Sequence, residues 1–259
     1  MKWRFINTGS NTGKFNMAFD IFLTKICRPD EAYFRLYSWH PFCISLGANQ
    51  SVDSVNAELA SSHGIDVVTR PTGGRAVLHS EELTYSVVMP ISPGASVKKI
   101  YGEINLALKE GLEIFNPVLA GLELETAQPD FRSLYREEKS AVCFAVPAKS
   151  ELKYGNKKLV GSAQRRLAGT VLQHGSILTG SFHKNILKYL NLSDDGYNSL
   201  CGEIENTSVE LNSVIDNDIN YDILAECLLA GFEKHFGQKF EQVDPGCLIN
   251  SIEEIFNDV

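Results

Sequence analysis

No apolar run in this chain approaches the roughly 18 residues that a membrane span requires, so no transmembrane helix is expected. Positive charge is scarce: 24 Lys and Arg stand against 32 Asp and Glu, a net charge of -8. That balance argues against generic binding to nucleic acid or to an acidic membrane, while leaving room for a local basic pocket. The six cysteines (Cys27, Cys43, Cys143, Cys201, Cys227 and Cys247) include no CxxC pair and no tight metal-ligand spacing. Neither a zinc site nor a disulfide framework is expected, and most of these thiols read as small buried hydrophobes of a cytosolic chain. The opening Met1-Lys-Trp-Arg-Phe-Ile lacks the apolar core of an export signal, which points to a cytoplasmic protein. There is no Gly-x-Ser-x-Gly elbow, no Walker A lysine loop, no repeat and no low-complexity tract.

What is present is enough for a large core. Of 259 residues 44% are apolar and 22% are charged, and no stretch reads as a linker, so a single domain over residues 1–259 is expected. Phe15, Ala18, Phe19, Phe22, Leu23 and Ile26 recur at helical spacing, predicting a helix from about Phe15 to Cys27. Ala32–Trp39 alternates, with Tyr33, Arg35 and Tyr37 against Phe34, Leu36 and Ser38, and reads as a strand; Phe42–Leu46 is a second. A helix from about Ser54 to His63 closes at Gly64, followed by strands at Ile65–Thr69, Arg75–His79 and Leu83–Met89. Ser96–Phe115 is the strongest helical pattern, and polar Ala127–Ser140 reads as a long surface loop. Glu151–Tyr154 and Lys158–Gln164 flank Gly155-Asn156 as a hairpin, Thr170–Leu178 is a strand, and helices are expected near His183–Leu190 and Asp222–Phe236, joined by acidic, loop-like sequence. The fold class is α+β, mixed β-sheets flanked by helices.

The stretch Arg70-Pro-Thr-Gly-Gly-Arg-Ala-Val-Leu-His79 concentrates the chemistry. Gly73 and Gly74 can take positive φ and offer amide donors, with Arg70 and Arg75 adding charge that suits an acyl-phosphate, a nucleotide or a pantetheine phosphate. The same residues also make an ordinary turn between strands. Cys143 stands at a loop–strand junction, where a thiol is either exposed enough to react or simply buried. Lys158 precedes the small-sided run Gly161-Ser-Ala163, along which an extended ligand or another backbone could lie; a solvated hairpin lysine is the plainer reading. His79 and His174 end or interrupt strand-like runs, as bases or as hydrogen-bonded structural groups.

Taken in order, Arg70-Pro-Thr-Gly-Gly-Arg-Ala-Val-Leu-His79, Glu82-Leu-Thr-Tyr-Ser-Val-Val88, Lys158-Leu-Val-Gly-Ser-Ala-Gln164 and Leu172-Gln-His-Gly-Ser-Ile-Leu178 resemble the lipoate–protein ligase A and lipoyl octanoyltransferase family. Asn16-Met-Ala-Phe-Asp20 and Arg35-Leu-Tyr-Ser-Trp-His-Pro41 with Ser45-Leu-Gly-Ala-Asn-Gln50 also resemble its N-terminal motifs, so the likeness runs from about Phe15 to Leu178. The resemblance implies the catalytic-domain fold of biotin and lipoate protein ligases. It implies a tunnel for an eight-carbon acyl chain walled by the glycine loop (Arg70, Thr72, Gly73, Gly74, Arg75, His79) and by Gly161, Ser162, Ala163, His174 and Gly175. Lys158 would contact the acyl carbonyl.

Within the family, the ligases resemble an Asn-Asp pattern where Ser140-Ala-Val-Cys143-Phe144 stands here, and many bacterial ligases carry a further C-terminal domain. The cysteine-dependent octanoyl-acyl carrier protein:protein N-octanoyltransferases of Gram-positive type resemble this chain more. That likeness implies Cys143 as nucleophile, octanoyl-acyl carrier protein as donor, a lipoyl-domain protein such as a glycine-cleavage H protein or a dehydrogenase subunit as acceptor, and no cofactor. His79 is a candidate proton acceptor. The alternatives are an ATP- and Mg-dependent lipoate ligase and an amidotransferase between lipoyl domains. Two positions depart from the family pattern: Ala145 and Ser80 stand where Asp is common.

Overall fold

Alternation in the strand Glu31–Trp39 makes it two-faced, and the structure covers both faces. The computed structural model describes residues 1–92, 94–125 and 151–249; the expected 127–140 loop and Cys143 lie outside them. The chain runs β1 (Lys2–Asn11), α1 (Gly13–Ile26), β2 (Glu31–Trp39), β3 (Cys43–Leu46), α2 (Ala57–Ser62), β4 (Asp66–Thr69), β5 (Val77–His79), β6 (Glu82–Pro90) and α3 (Val97–Phe115). It continues through β7 (Glu123–Leu124), β8 (Leu152–Tyr154), β9 (Lys157–Lys158), β10 (Val160–Leu167), β11 (Thr170–Leu178), α4 (Asp194–Thr207), α5 (Leu211–Ile215), α6 (Tyr221–Phe236) and β12 (Glu241–Gln242).

The main sheet has the order β10-β11-β6-β2-β1-β12, antiparallel from β10 to β2 and parallel from β2 to β12. On one face Phe34, Leu36, Tyr85 and Val87 meet Leu108 of α3 and Leu228 and Phe232 of α6. On the other, Tyr33 and Val88 meet Phe19, Phe22 and Leu23 of α1. A three-stranded sheet, β4-β3-β5, stands beside it, and β7-β8-β9 forms a third, smaller one. Among the described residues no helix is long and apolar enough to cross a membrane.

Caps and charges explain where the elements begin. The Thr12 hydroxyl accepts the Phe15 N–H at 3.3 Å and starts α1 two residues ahead of its apolar periodicity. The segment expected to be acidic loop is helix α4: Ser193 accepts the Gly196 N–H at 3.2 Å, and Asp194 and Asp195 occupy the first turn. Carboxylates there offset the positive end of the helix dipole, so the charge that reads as loop composition is a helix start. The expected helix near His183–Leu190 is a 3₁₀ stretch, Phe182–Tyr189. β1, which carries no assignment above, buries Trp3, Phe5 and Ile6 in its first half and is polar in its second. Its period-2 signal is therefore too short to read alone.

The expected strand Lys158–Gln164 is broken at Leu159. β9 pairs with β8, β10 pairs with β11, and Leu159 joins the two sheets through its N–H on Leu152 O and its carbonyl under Leu178 N–H.

α3 and α6 cross backbone to backbone at two glycines. A Cβ on Gly231 would lie 2.2 Å from Gly111 N and 2.9 Å from Ala107 O. Neither atom can retreat without parting the helices, so Gly231→Ala is expected to cost about 1–3 kcal/mol of stability as overpacking. Urea unfolding monitored by circular dichroism measures this; an unchanged midpoint would contradict the crossing.

Candidate functional site

β10, β11, β6, β2 and the β3–β5 pair enclose a cavity lined by Met17, Tyr37, Trp39, Val77 and, among the residues singled out above, Arg70, His79, Gly161, Ser162, Ala163, His174 and Gly175. It encloses about 420 Å³ free of protein atoms, its mouth included, but the centre of a water molecule reaches only about 30 Å³ of it. The space is a slot. Ser45, Thr84 and Ser176 also line it, yet the polar groups around it turn their donors and acceptors on one another.

Two relays account for this. In the first, His79 lies between Ser45 Oγ (2.8 Å from Nε2) and Glu82 Oε1 (2.7 Å from Nδ1), stacked on Trp39 at 4.0 Å between ring centroids. Glu82 Oε1 also accepts from Thr84 at 2.5 Å and Ser176 at 2.7 Å. Burial pushes the Glu82 carboxyl up, but the His79 charge and these hydrogen bonds outweigh it and hold the group below the usual carboxylate range. In the second relay, His174 lies between Asp20 Oδ2 (3.1 Å from Nδ1) and Thr72 Oγ1 (2.6 Å from Nε2). Burial pushes His174 below the ordinary imidazole value, the Asp20 bond opposing it only in part. The ring is therefore neutral, donates from Nδ1 to Asp20 and accepts the Thr72 hydroxyl at Nε2, an assignment made from its partners. Each ring has both nitrogens engaged, so His79 and His174 stand as hydrogen-bonded groups of the walls.

Asp20 extends the second relay. Its Oδ1 meets Arg35 at 2.8 Å and Ser86 at 2.7 Å, and its Oδ2 accepts the Tyr37 hydroxyl at 3.2 Å. Burial raises Asp20, while His174, Arg35 and Ser86 together hold it below the usual range. Arg35 completes its own set with Thr8 Oγ1, Asn16 O and Asn16 Oδ1, and lies 3.9 Å from the Tyr37 ring centroid.

The glycine loop is braced from inside. Arg70, which lines the slot, donates to Ser45 O and Ser45 Oγ of β3 and to Gly73 O and Arg75 O of its own loop, so its guanidinium also ties the loop to β3. Arg165 of β10 donates to Pro71 O at 2.6 Å. Gly74 has φ +100°, and its carbonyl presses so close that a Cβ on Gly47 would fall 2.0 Å from it. A Cβ on Gly73 would meet nothing within 4 Å, so the protein's own packing does not require glycine there.

Lys158 is 1% exposed, not a solvated hairpin lysine. Its ammonium lies 2.9 Å from Glu151 Oε2, and Glu151 Oε1 accepts the Ser162 N–H at 3.0 Å. Of the five described cysteines none lines the slot. Burial and Glu31 push Cys27 up to about 11, and burial drives Cys43 well above the usual thiol value. Sequence reasoning had not singled out Glu82, Asp20, Arg35 or Glu151 as working groups. A charged residue inside an apolar pattern (Asp20 within Met17–Leu23, Arg35 within β2) is the signal that could have found two of them.

The His174 environment has a pH signature. The unfolded chain takes up a proton at this residue below about pH 6.5, while the native ring resists it, so native stability falls on acidification. From pH 7.5 to 5.5 the wild type is expected to lose stability more steeply than His174→Gln, by up to about 1.4 kcal/mol per pH unit. Urea midpoints at several pH values measure the difference; parallel slopes would contradict it.

A family model described as the lipoyl protein ligase A/B catalytic domain matches residues 12–233. The chain is 36% identical over 249 residues to octanoyltransferase LipM of Kyrpidia tusciae, covering 92% of this chain and 89% of that protein. It is 32% identical over 253 residues to octanoyltransferase LipM of Anoxybacillus flavithermus, covering 93% and 89%. Among solved structures, a bi-partite lipoate protein ligase from Thermoplasma acidophilum superposes with a TM-score of 0.79 at 18% identity, covering 99% of this chain and 92% of that one. A lipoate-protein ligase A bound with ATP superposes at 0.76 with 20% identity, covering 99% and 95%. The mixed α+β architecture is thus that of lipoate ligases. By its match over most of its length, and by its identity to these relatives, the chain belongs to the lipoyl protein ligase A/B catalytic domain family.

Proposed function

We propose that the protein is an octanoyltransferase of lipoate biosynthesis, taking an octanoyl group from octanoyl-acyl carrier protein through a thioester on Cys143 to a lysine of a lipoyl-domain protein. The observation that carries the acyl part is the slot: narrow, with polar wall groups paired among themselves, so that what remains for a ligand is carbon. An extended alkyl chain fits such a space; a hydrated, branched polar ligand does not. Gly73, free of any packing demand for glycine, suits close approach of the ligand's polar head. The relatives named octanoyltransferase direct the choice of transfer over ligation.

In this scheme the Cys143 thiolate attacks the thioester carbonyl. A C–S bond forms to the enzyme, and the pantetheine sulfur leaves and takes up a proton. The acceptor lysine, as free amine, then attacks the enzyme thioester. The amide C–N bond forms, Cys143 departs as thiolate, and the amine's surplus proton passes to solvent. Both steps exchange bonds of an activated acyl group, so neither requires ATP or a metal. Lys158 stabilises the oxyanion of each tetrahedral intermediate, a contribution of about 3 kcal/mol for a preorganised donor. Arg70, Thr72, Arg75 and the two relays hold the loop and walls in place.

Wild-type protein incubated with octanoyl-acyl carrier protein and no ATP is expected to gain one octanoyl mass on Cys143 by peptide mass spectrometry. Cys143→Ser is expected to transfer at least about a hundredfold more slowly. Undiminished transfer by that variant, or transfer that begins only when ATP is added, would reject the covalent route.

A further inference from the structure

We propose that Glu151 is a positioning residue for the reaction, its carboxylate holding Lys158 in place as an ammonium cation and tying it to Ser162 of the slot wall. The inference rests on the reading of Lys158 as the group that stabilises the oxyanion. It adds why that lysine is charged when needed.

The hairpin turn brings the two residues together. Glu151 immediately precedes β8, Lys158 closes β9, and Leu159 N–H on Leu152 O at 3.0 Å locks the register. The ion pair spans 2.9 Å, with side chains 2% and 1% exposed. The second carboxylate oxygen accepts the N–H of Ser162, which lines the slot. One carboxylate therefore fixes both the cation and the wall that the acyl chain would lie against.

Stability does not account for this arrangement. Two charges removed from water regain at best about what an apolar pair of the same volume would contribute. A buried amine without a counter-charge, by contrast, sheds its proton, and a neutral amine cannot meet a negative oxygen with a full charge. Other charged groups described near the pair are engaged among themselves. Lys153, the register partner of Lys158, is itself paired with Glu125 at 2.7 Å. Tyr85 and Tyr101 approach from β6 and α3 through Ser162, and burial together with the Glu151 charge keeps both phenols protonated. His183 and Glu210 lie beyond Ser208, with His183 Nε2 3.1 Å from its hydroxyl.

Glu151→Gln keeps the size and an oxygen acceptor while removing the charge. Its transfer rate is expected to show an alkaline limb displaced to lower pH by about one unit or more, with KM for octanoyl-acyl carrier protein within about twofold of wild type. Adding Lys158→Arg, a cation that does not deprotonate in this range, is expected to return the limb toward the wild-type position. A purely structural role would instead lower the rate by one factor at every pH, and that result, or an unshifted profile, overturns the proposal. Should Glu151→Gln fail to fold, Glu151→Asp decides, with a smaller displacement in the same direction supporting the proposal and none overturning it. Lys158→Met separates the two levels: full activity there removes the role of Lys158 and this inference with it. A slow Lys158→Met beside an unshifted Glu151→Gln removes only the inference.

Discussion

The buried carboxylate of Asp20 is the constraint on which the rest of the site depends. It sits on α1, and its partners come from β2 (Arg35, Tyr37), β6 (Ser86) and β11 (His174). Through His174 and Thr72 the same charge reaches the glycine loop. An ionised group fully out of water is costly unless donors answer it, so the four partners sit at hydrogen-bond distance together. That requirement ties helix, sheet and loop into one rigid frame, and removing Arg35 would leave the Asp20 charge without its ion-pair partner, a penalty of about 3–5 kcal/mol.

The frame explains how a cavity walled by so many polar residues is suited to hydrocarbon. Ser45, His79, Glu82, Thr84, Ser176 and Trp39 form one network, and Thr72, His174, Asp20 and Arg35 another. Apart from Glu82 Oε2, which accepts no hydrogen bond among the described residues, the side chains of each network answer one another within the wall. Low dielectric strengthens these bonds, and their mutual satisfaction fixes rotamers that a purely aliphatic wall would leave freer to repack. The width of the slot is therefore held by electrostatics while its surface is presented by carbon.

At the third corner, the hairpin of β8 and β9 inserts an ion pair beside the small-sided strand β10. The break at Leu159 matters here, because it lets Lys158 belong to one sheet and Gly161–Ala163 to another while only two residues separate them. A continuous strand would alternate these side chains across a single sheet and could not place a carboxylate between the lysine and the Ser162 amide.

Periodicity and composition determined a good deal by themselves. The two faces of β2, the apolar stripes of α1 and α3, the glycine loop and the small residues of β10 are local patterns, repeated within a few residues and set by backbone geometry. Helix α4 was hidden because its cap and acidic first turn carry the composition of a loop, and β1 because half of it is polar. Tertiary structure alone decided which charges meet. Asp20 and His174 are 154 positions apart, Thr72 and His174 are 102 apart, and no spacing rule links them. It also decided that Arg70 braces its own loop and that Lys158 is buried against Glu151. The physical reason is that hydrogen bonds and ion pairs act over about 3 Å in space, whatever the distance along the chain, so only the folded arrangement selects among the many pairings a sequence permits.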